Sequence, residues 1–112
     1  MQISEILSQS KDIHQWIVEK RRAIHRHPEL MYEEFETSRL VQNTLKELDI
    51  PYEKDIAITG VVGLIGNGAA PCIALRADMD ALPIHEEADV EFRSEIDGKM
   101  HACGHDCHTA ML

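Results

Sequence analysis

Cys72-Ile73-Ala74-Leu75-Arg76-Ala77-Asp78-Met79-Asp80-Ala81-Leu82-Pro83 is an apolar run that closes on two carboxylates and a proline. Side chains of a strand alternate between faces with period two. The run therefore predicts a strand over Cys72 to Asp80, with Ile73, Leu75, Ala77 and Met79 on one face and Arg76, Asp78 and Asp80 on the other. In open α/β sheets, ligands gather beyond the carboxyl ends of strands, which is where the two aspartates fall. Three roles fit the pair: hard-oxygen ligation of a cation, orientation of a histidine, or a structural pairing with Arg76.

Two more short apolar runs precede it, Ile56 to Ile58 and Val61 to Ile65, and Gly66-Asn67-Gly68 with Pro71 separates the latter from Cys72. That glycine-rich gap predicts a hairpin between the second run and the Cys72 strand. Further upstream the period changes to three and four residues. Ile6, Leu7, Ile13, Trp16, Ile17 and Ile24 give the stripe of an amphipathic helix from about Ser4 to Arg26, stopped by Pro28. A second helix is expected from Glu33 to Leu48. Its acidic Glu33, Glu34 and Glu36 suit the positive end of the dipole, and Phe35, Leu40, Val41, Leu45 and Leu48 form its buried side.

Downstream, Val90 to Arg93 is a candidate short strand and Asp97-Gly98-Lys99 a turn. Thr109 to Leu112 has the composition of an opening helical turn with no cap or breaker after it, so the chain is expected to stop mid-element. Two helices followed by strands make an α/β chain, one domain over residues 1–112.

A length of 112 residues allows a modest core, and 44% hydrophobic with 28% charged residues is an ordinary globular balance. The net charge of −9 argues against nucleic acid or anionic lipid as a partner, since both require a basic face. The one basic cluster, Lys20, Arg21, Arg22, His25, Arg26 and His27, is expected to be a solvated helix face. No stretch reaches the roughly 20 apolar residues of a membrane span, and the first residues lack the layout of a signal peptide, so the expected compartment is the cytoplasm. Three cysteines, Cys72, Cys103 and Cys107, point to thiol or metal chemistry rather than a disulfide framework.

The densest chemistry lies in Met100-His101-Ala102-Cys103-Gly104-His105-Asp106-Cys107-His108-Thr109. Thiolate and imidazole suit zinc and its neighbours, and Cys103 and His105 can point the same way across Gly104, making them the candidate metal ligands. Asp106 can accept a hydrogen bond from an imidazole. His101 and His108 are read as packing, capping or ligand-supporting groups. The spacing from Cys103 to Cys107 and His108 does not fit haem attachment, and no phosphate-loop or dinucleotide-binding sequence is present.

Taken together, Arg22 to Leu30, Glu33-Glu34, Thr59 to Gly63, Arg76 to Pro83 and Met100 to Thr109 resemble the metal-dependent amidohydrolases. These include hippurate hydrolase, N-acyl-L-amino acid amidohydrolases and auxin-conjugate hydrolases. The resemblance runs from about Arg21 to Leu112. It implies the amino-terminal portion of a zinc-exopeptidase-like catalytic domain, with two divalent metals (zinc, manganese, cobalt or nickel) sharing a hydroxide that attacks the amide carbon of an N-acyl amino acid.

It further implies Cys103 and His105 as metal ligands. Asp80 becomes a residue orienting a ligand, while Asp78 stands where distant relatives carry a ligating histidine, which leaves its role open. The family's general-base glutamate, its remaining ligands and its dimerisation domain would lie beyond Leu112, so no catalytic residue is assigned in this chain, and the complete enzyme would be a homodimer. The rival expectations are a small metal-binding module closed by Cys103, His105, Cys107 and His108, and an inactive truncated product.

Overall fold

The computed structural model describes residues 1–112. The expected first helix is two: α1, Ile3–Asp12, and α2, His14–Arg26, separated by Ile13, whose backbone (φ −95°, ψ 0°) departs from helical geometry. Every residue of α1 is exposed, including Ile6 and Leu7, and of the predicted stripe only Ile24 is buried. α2 ends at Arg26, two residues before Pro28, and the Arg26 carbonyl accepts the Glu95 N–H at 2.8 Å.

α3 spans Phe35–Glu47. Its predicted buried side holds only in its middle: Leu40, Val41 and Leu45 are half-buried, whereas Phe35 and Leu48 are exposed and Thr37 and Ser38 are buried instead. The start of α3 is held by a residue outside it. The Glu29 carboxylate accepts the Glu36 N–H at 3.0 Å, and the Thr37 N–H and hydroxyl at 2.7 Å each. A carboxylate is the best partner for the free N–H groups and positive pole of a helix start.

The hairpin also differs from expectation. β1, Tyr52–Ile56, pairs antiparallel with β2, Gly60–Gly63, so the connection lies at residues 57–59 and not at the glycine-rich gap. Gly66-Asn67-Gly68 leads instead into an unpaired stretch. Cys72 to Asp80 forms no strand, and Ile73 and Leu75 stand 87% and 77% exposed. Period-two patterning states which faces a segment offers, but a strand exists only where a neighbour completes its hydrogen bonds. Val90 to Arg93 is likewise a turn, while Asp97-Gly98-Lys99 turns as expected, the Lys99 N–H reaching the Ile96 carbonyl at 3.2 Å.

β2 packs on α3 where Gly63 faces Leu45 and Ile50. The buried Glu34 carboxylate accepts the Thr59 hydroxyl at 2.7 Å, joining the start of α3 to the hairpin turn. Thus Glu29, Glu34 and Thr59, all in the stretches that carried the family resemblance, act as structural couplings. The last helix, α4, spans His105–Met111, beginning four residues before the expected Thr109, and packs against α2.

Gly60 stands where an added Cβ would lie 2.5 Å from the Ile56 carbonyl oxygen, a backbone atom that cannot swing away. Gly60→Ala is expected to destabilise the chain by on the order of 2 kcal/mol, read as a lowered urea midpoint with an unchanged m-value.

Candidate functional site

One antiparallel bridge assembles the site. The Leu82 N–H donates to the Met100 carbonyl at 2.9 Å and the Met100 N–H returns to Leu82 at 3.0 Å. This lays the His/Cys cluster against the end of the 72–82 segment. Two further bonds fix the approach: the Thr109 hydroxyl on α4 donates to the Asp78 carbonyl at 2.8 Å, and the Ala81 N–H donates to the Glu29 carbonyl at 2.7 Å.

Between these ties, Asp78, Asp80 and His105 come together, with one donor atom from each lying within 4.8 Å of the others. The period-two expectation that the two aspartates share a face is met even without a strand. His105 Nδ1 lies 2.9 Å from Asp80 Oδ1 and 3.1 Å from the Asp80 carbonyl. Both are acceptors, so Nδ1 carries the proton and donates. The tautomer then leaves the lone pair on Nε2, which sits 3.7 Å from Asp78 Oδ2.

Two donors on one ion, each about 2.1 Å from it, can be at most about 4.2 Å apart. His105 Nε2 and Asp78 Oδ2 satisfy that limit, with Asp80 orienting the imidazole from behind. The donor set therefore fits a divalent cation of the zinc or manganese type. The other oxygen of Asp78 is engaged by the Arg76 guanidinium, which balances the local negative charge.

The remaining sequence candidates are placed as follows. Cys103 is exposed and is not part of the Asp78, Asp80 and His105 group. It precedes Gly104, whose φ of 101° is left-handed and which starts α4. Cys107 is half-buried on α4, and Cys72 is exposed. His108 is exposed, its ring 6.2 Å from that of His105. His101 is 4% exposed with both ring nitrogens unpaired. Burial disfavours its charged form, and together with the charges of His25 and His105 this outweighs the pull of Asp106 and Asp80, lowering its pKa.

Asp106 turns away from the site, into the interior. Its Oδ2 accepts from Arg21 Nε at 2.7 Å and from His25 Nδ1 at 2.8 Å, and its Oδ1 accepts the Cys107 N–H at 2.9 Å. His25 Nε2 lies 3.0 Å from both oxygens of Glu86, which also accepts the Ser94 N–H at 2.7 Å. His25, Glu86 and Asp106 are all less than 4% exposed.

The expected solvated basic face is thus corrected for Arg21 and His25, which are the partners of buried carboxylates. Arg22 also lies over the Phe92 ring, 4.6 Å from its centre. Spacing could have suggested part of this, because Arg21 and His25 are four apart on one helix face. Nothing local marks Glu86.

Burial alone would raise the pKa of both carboxyls. For Asp106 the hydrogen bond from His25, the charge and hydrogen bond of Arg21 and the Cys107 N–H prevail, and its pKa is lowered. For Glu86 the His25 hydrogen bond, the Ser94 N–H and the charges of His25 and Arg93 have the same effect. A carboxylate whose folded pKa lies below its unfolded value stabilises the fold above that unfolded value, and the contribution fades as pH falls through the folded one.

Comparison with known proteins places the geometry in context. Residues 74–112 match the model for peptidase family M20/M25/M40. Over 95% of its length the chain is 55% identical to IAA-amino acid hydrolase ILR1-like 5 of Arabidopsis thaliana, covering 24% of that protein. It is 51% identical over 98% of its length to thermostable carboxypeptidase 2 of Saccharolobus solfataricus, covering 28%.

A Bacillus subtilis structure described as a dinuclear metal binding peptidase of the M20 family superposes with TM-score 0.82 at 44% identity, over 89% of this chain and 28% of that one. A putative aminohydrolase from methicillin-resistant Staphylococcus aureus gives 0.89 at 37% identity, over 97% of this chain and 29% of that one. The chain spans about a quarter of the length of the curated relatives it matches.

Glu86→Gln removes one of the two low-pKa carboxyls. The wild type is expected to lose stability as pH falls below about 4, and the variant to show a shallower acid limb, by up to about 1.4 kcal/mol per pH unit. Urea unfolding between pH 7 and pH 3 measures the difference.

Proposed function

We propose that the chain is the amino-terminal part of a member of peptidase family M20/M25/M40, whose model matches residues 74–112, and that it forms one wall of the metal site of an enzyme that hydrolyses the amide bond of N-acyl amino acids. The carrying observation is the convergence of Asp78, Asp80 and His105, with the His105 tautomer set by Asp80 so that Nε2 faces Asp78. The relatives named IAA-amino acid hydrolase and thermostable carboxypeptidase support a substrate class that contains an amino acid.

A divalent cation bound there would supply Lewis acidity toward the scissile carbonyl and lower the pKa of a nearby water to about 7. This chain's own residues would hold and orient. His105 Nε2 and Asp78 Oδ2 offer donor atoms, and exposed Cys103, two residues before His105, offers a sulfur. Asp80 keeps the His105 proton on Nδ1, so that the lone pair stays aimed outward. On this reading, proton transfer and the remaining ligation would fall to carboxylates and histidines outside these 112 residues, and the complete enzyme would be a homodimer.

The 112-residue chain is expected to bind zinc or manganese weakly and to hydrolyse no N-acyl amino acid by itself. Asp80→Asn should weaken metal binding about 10- to 100-fold, the usual effect of losing the group that orients a histidine ligand, and His105→Ala should abolish it. Calorimetric titration with zinc checks both. Turnover of an N-acyl amino acid by the chain alone would overturn the division of labour, and undiminished zinc binding by His105→Ala would overturn the site.

A further inference from the structure

We propose that Arg21 and His25 of α2, backed by Glu86, are positioning residues for the metal site, acting through Asp106 to set where His105 presents its imidazole. The proposal rests on the assignment of Asp78, Asp80 and His105 to the metal and goes beyond it, to a buried cluster that touches none of the donor atoms.

The argument is geometric. His105 and Asp106 are consecutive at the start of α4, and their side chains run opposite ways, one to Asp80 and the other into the interior. Gly104 precedes them in a left-handed conformation (φ 101°), so the chain enters the helix through a sharp bend. The orientation of the helix is held on the site side by the Thr109 hydroxyl on the Asp78 carbonyl and on the inner side by Asp106. Its three hydrogen bonds, from Arg21 Nε, His25 Nδ1 and the Cys107 N–H, leave its 1% exposed carboxylate no freedom to swing.

His25 in turn is held at its far nitrogen by both oxygens of Glu86. With a carboxylate at hydrogen-bond distance on each side, the ring spans Glu86 and α4 as a strut. A shift at His25 is passed to Asp106, and from there to the adjoining residue that carries the donor nitrogen. Ligand groups must be held within a fraction of an ångström by the shell behind them, which gives such a strut leverage on affinity.

The test uses cobalt(II) as the probe, on the full chain, with three readouts: dissociation constant, visible absorption bands, and the Nδ1-H tautomer of His105 by nitrogen-15 NMR without metal. His25→Gln carries both donor hydrogens on one nitrogen, so it cannot span Asp106 and Glu86 as the two nitrogens of the ring do, and it is expected to weaken cobalt binding at least tenfold, alter the bands and release the tautomer. Thr59→Val, which removes the distant Thr59 to Glu34 bond, is the control. It should lower the melting temperature yet leave cobalt affinity within twofold and the tautomer intact.

If His25→Gln does not fold, Arg21→Lys carries the test, since it keeps the charge but loses the planar Nε–H; a several-fold loss of affinity is expected. A folded His25→Gln or Arg21→Lys that binds cobalt as the wild type does, with His105 unchanged, overturns the proposal and spares the metal site. A loss of affinity in Thr59→Val equal to that of His25→Gln also overturns it, because affinity then follows general stability. Absence of cobalt binding by the wild type overturns both the positioning role and the site.

Discussion

A buried carboxylate must be matched by donors or it costs several kcal/mol, and much of this fold is organised around meeting that demand twice at one imidazole. His25 stands between Asp106 and Glu86, all three less than 4% exposed. Satisfying both acids from one ring requires α2, α4 and the 86–94 loop to meet at fixed distances. The apolar contribution is small by comparison, since Ile24, Ala81 and Ala110 are the buried hydrophobic residues. Specific polar pairing therefore does here much of what close apolar packing does in larger cores.

The same logic extends outward. Glu29 seats the start of α3, Glu34 holds the Thr59 turn, and Asp80 sets the His105 ring. Each carboxylate takes donors from a segment distant in sequence, and each lies in or beside a stretch that resembles the family. Such stretches are informative because one side chain joins two pieces of backbone, so its replacement disturbs both. The site inherits this rigidity from its support.

What could be read in advance follows from the range of the interaction. The shared face of Asp78 and Asp80 is a property of adjacent backbone units, and it held. The stop at Pro28 and the turn at Asp97-Gly98-Lys99 are local too, and they held. The hairpin was assigned to the wrong runs because pairing is a relation between segments: β1 and β2 close through 57–59, while Cys72 to Asp80 has the pattern of a strand and no neighbour. The burial of Arg21 and His25 was illegible for the same reason. A helix face rich in arginine and histidine has the composition of a solvated one until Asp106, 81 residues beyond His25, is brought against it.

The unpaired run from Cys72 has a colloidal consequence. Ile73 and Leu75 stand in water beside backbone groups that no neighbouring strand satisfies, which is the kind of edge onto which another chain adds. The net charge of −9 opposes such addition, by a repulsion that reaches only about 8 Å at physiological ionic strength and less as salt is added. Added salt screens that surface repulsion before it weakens the buried ion pairs, so self-association is expected to rise with salt while the fold holds.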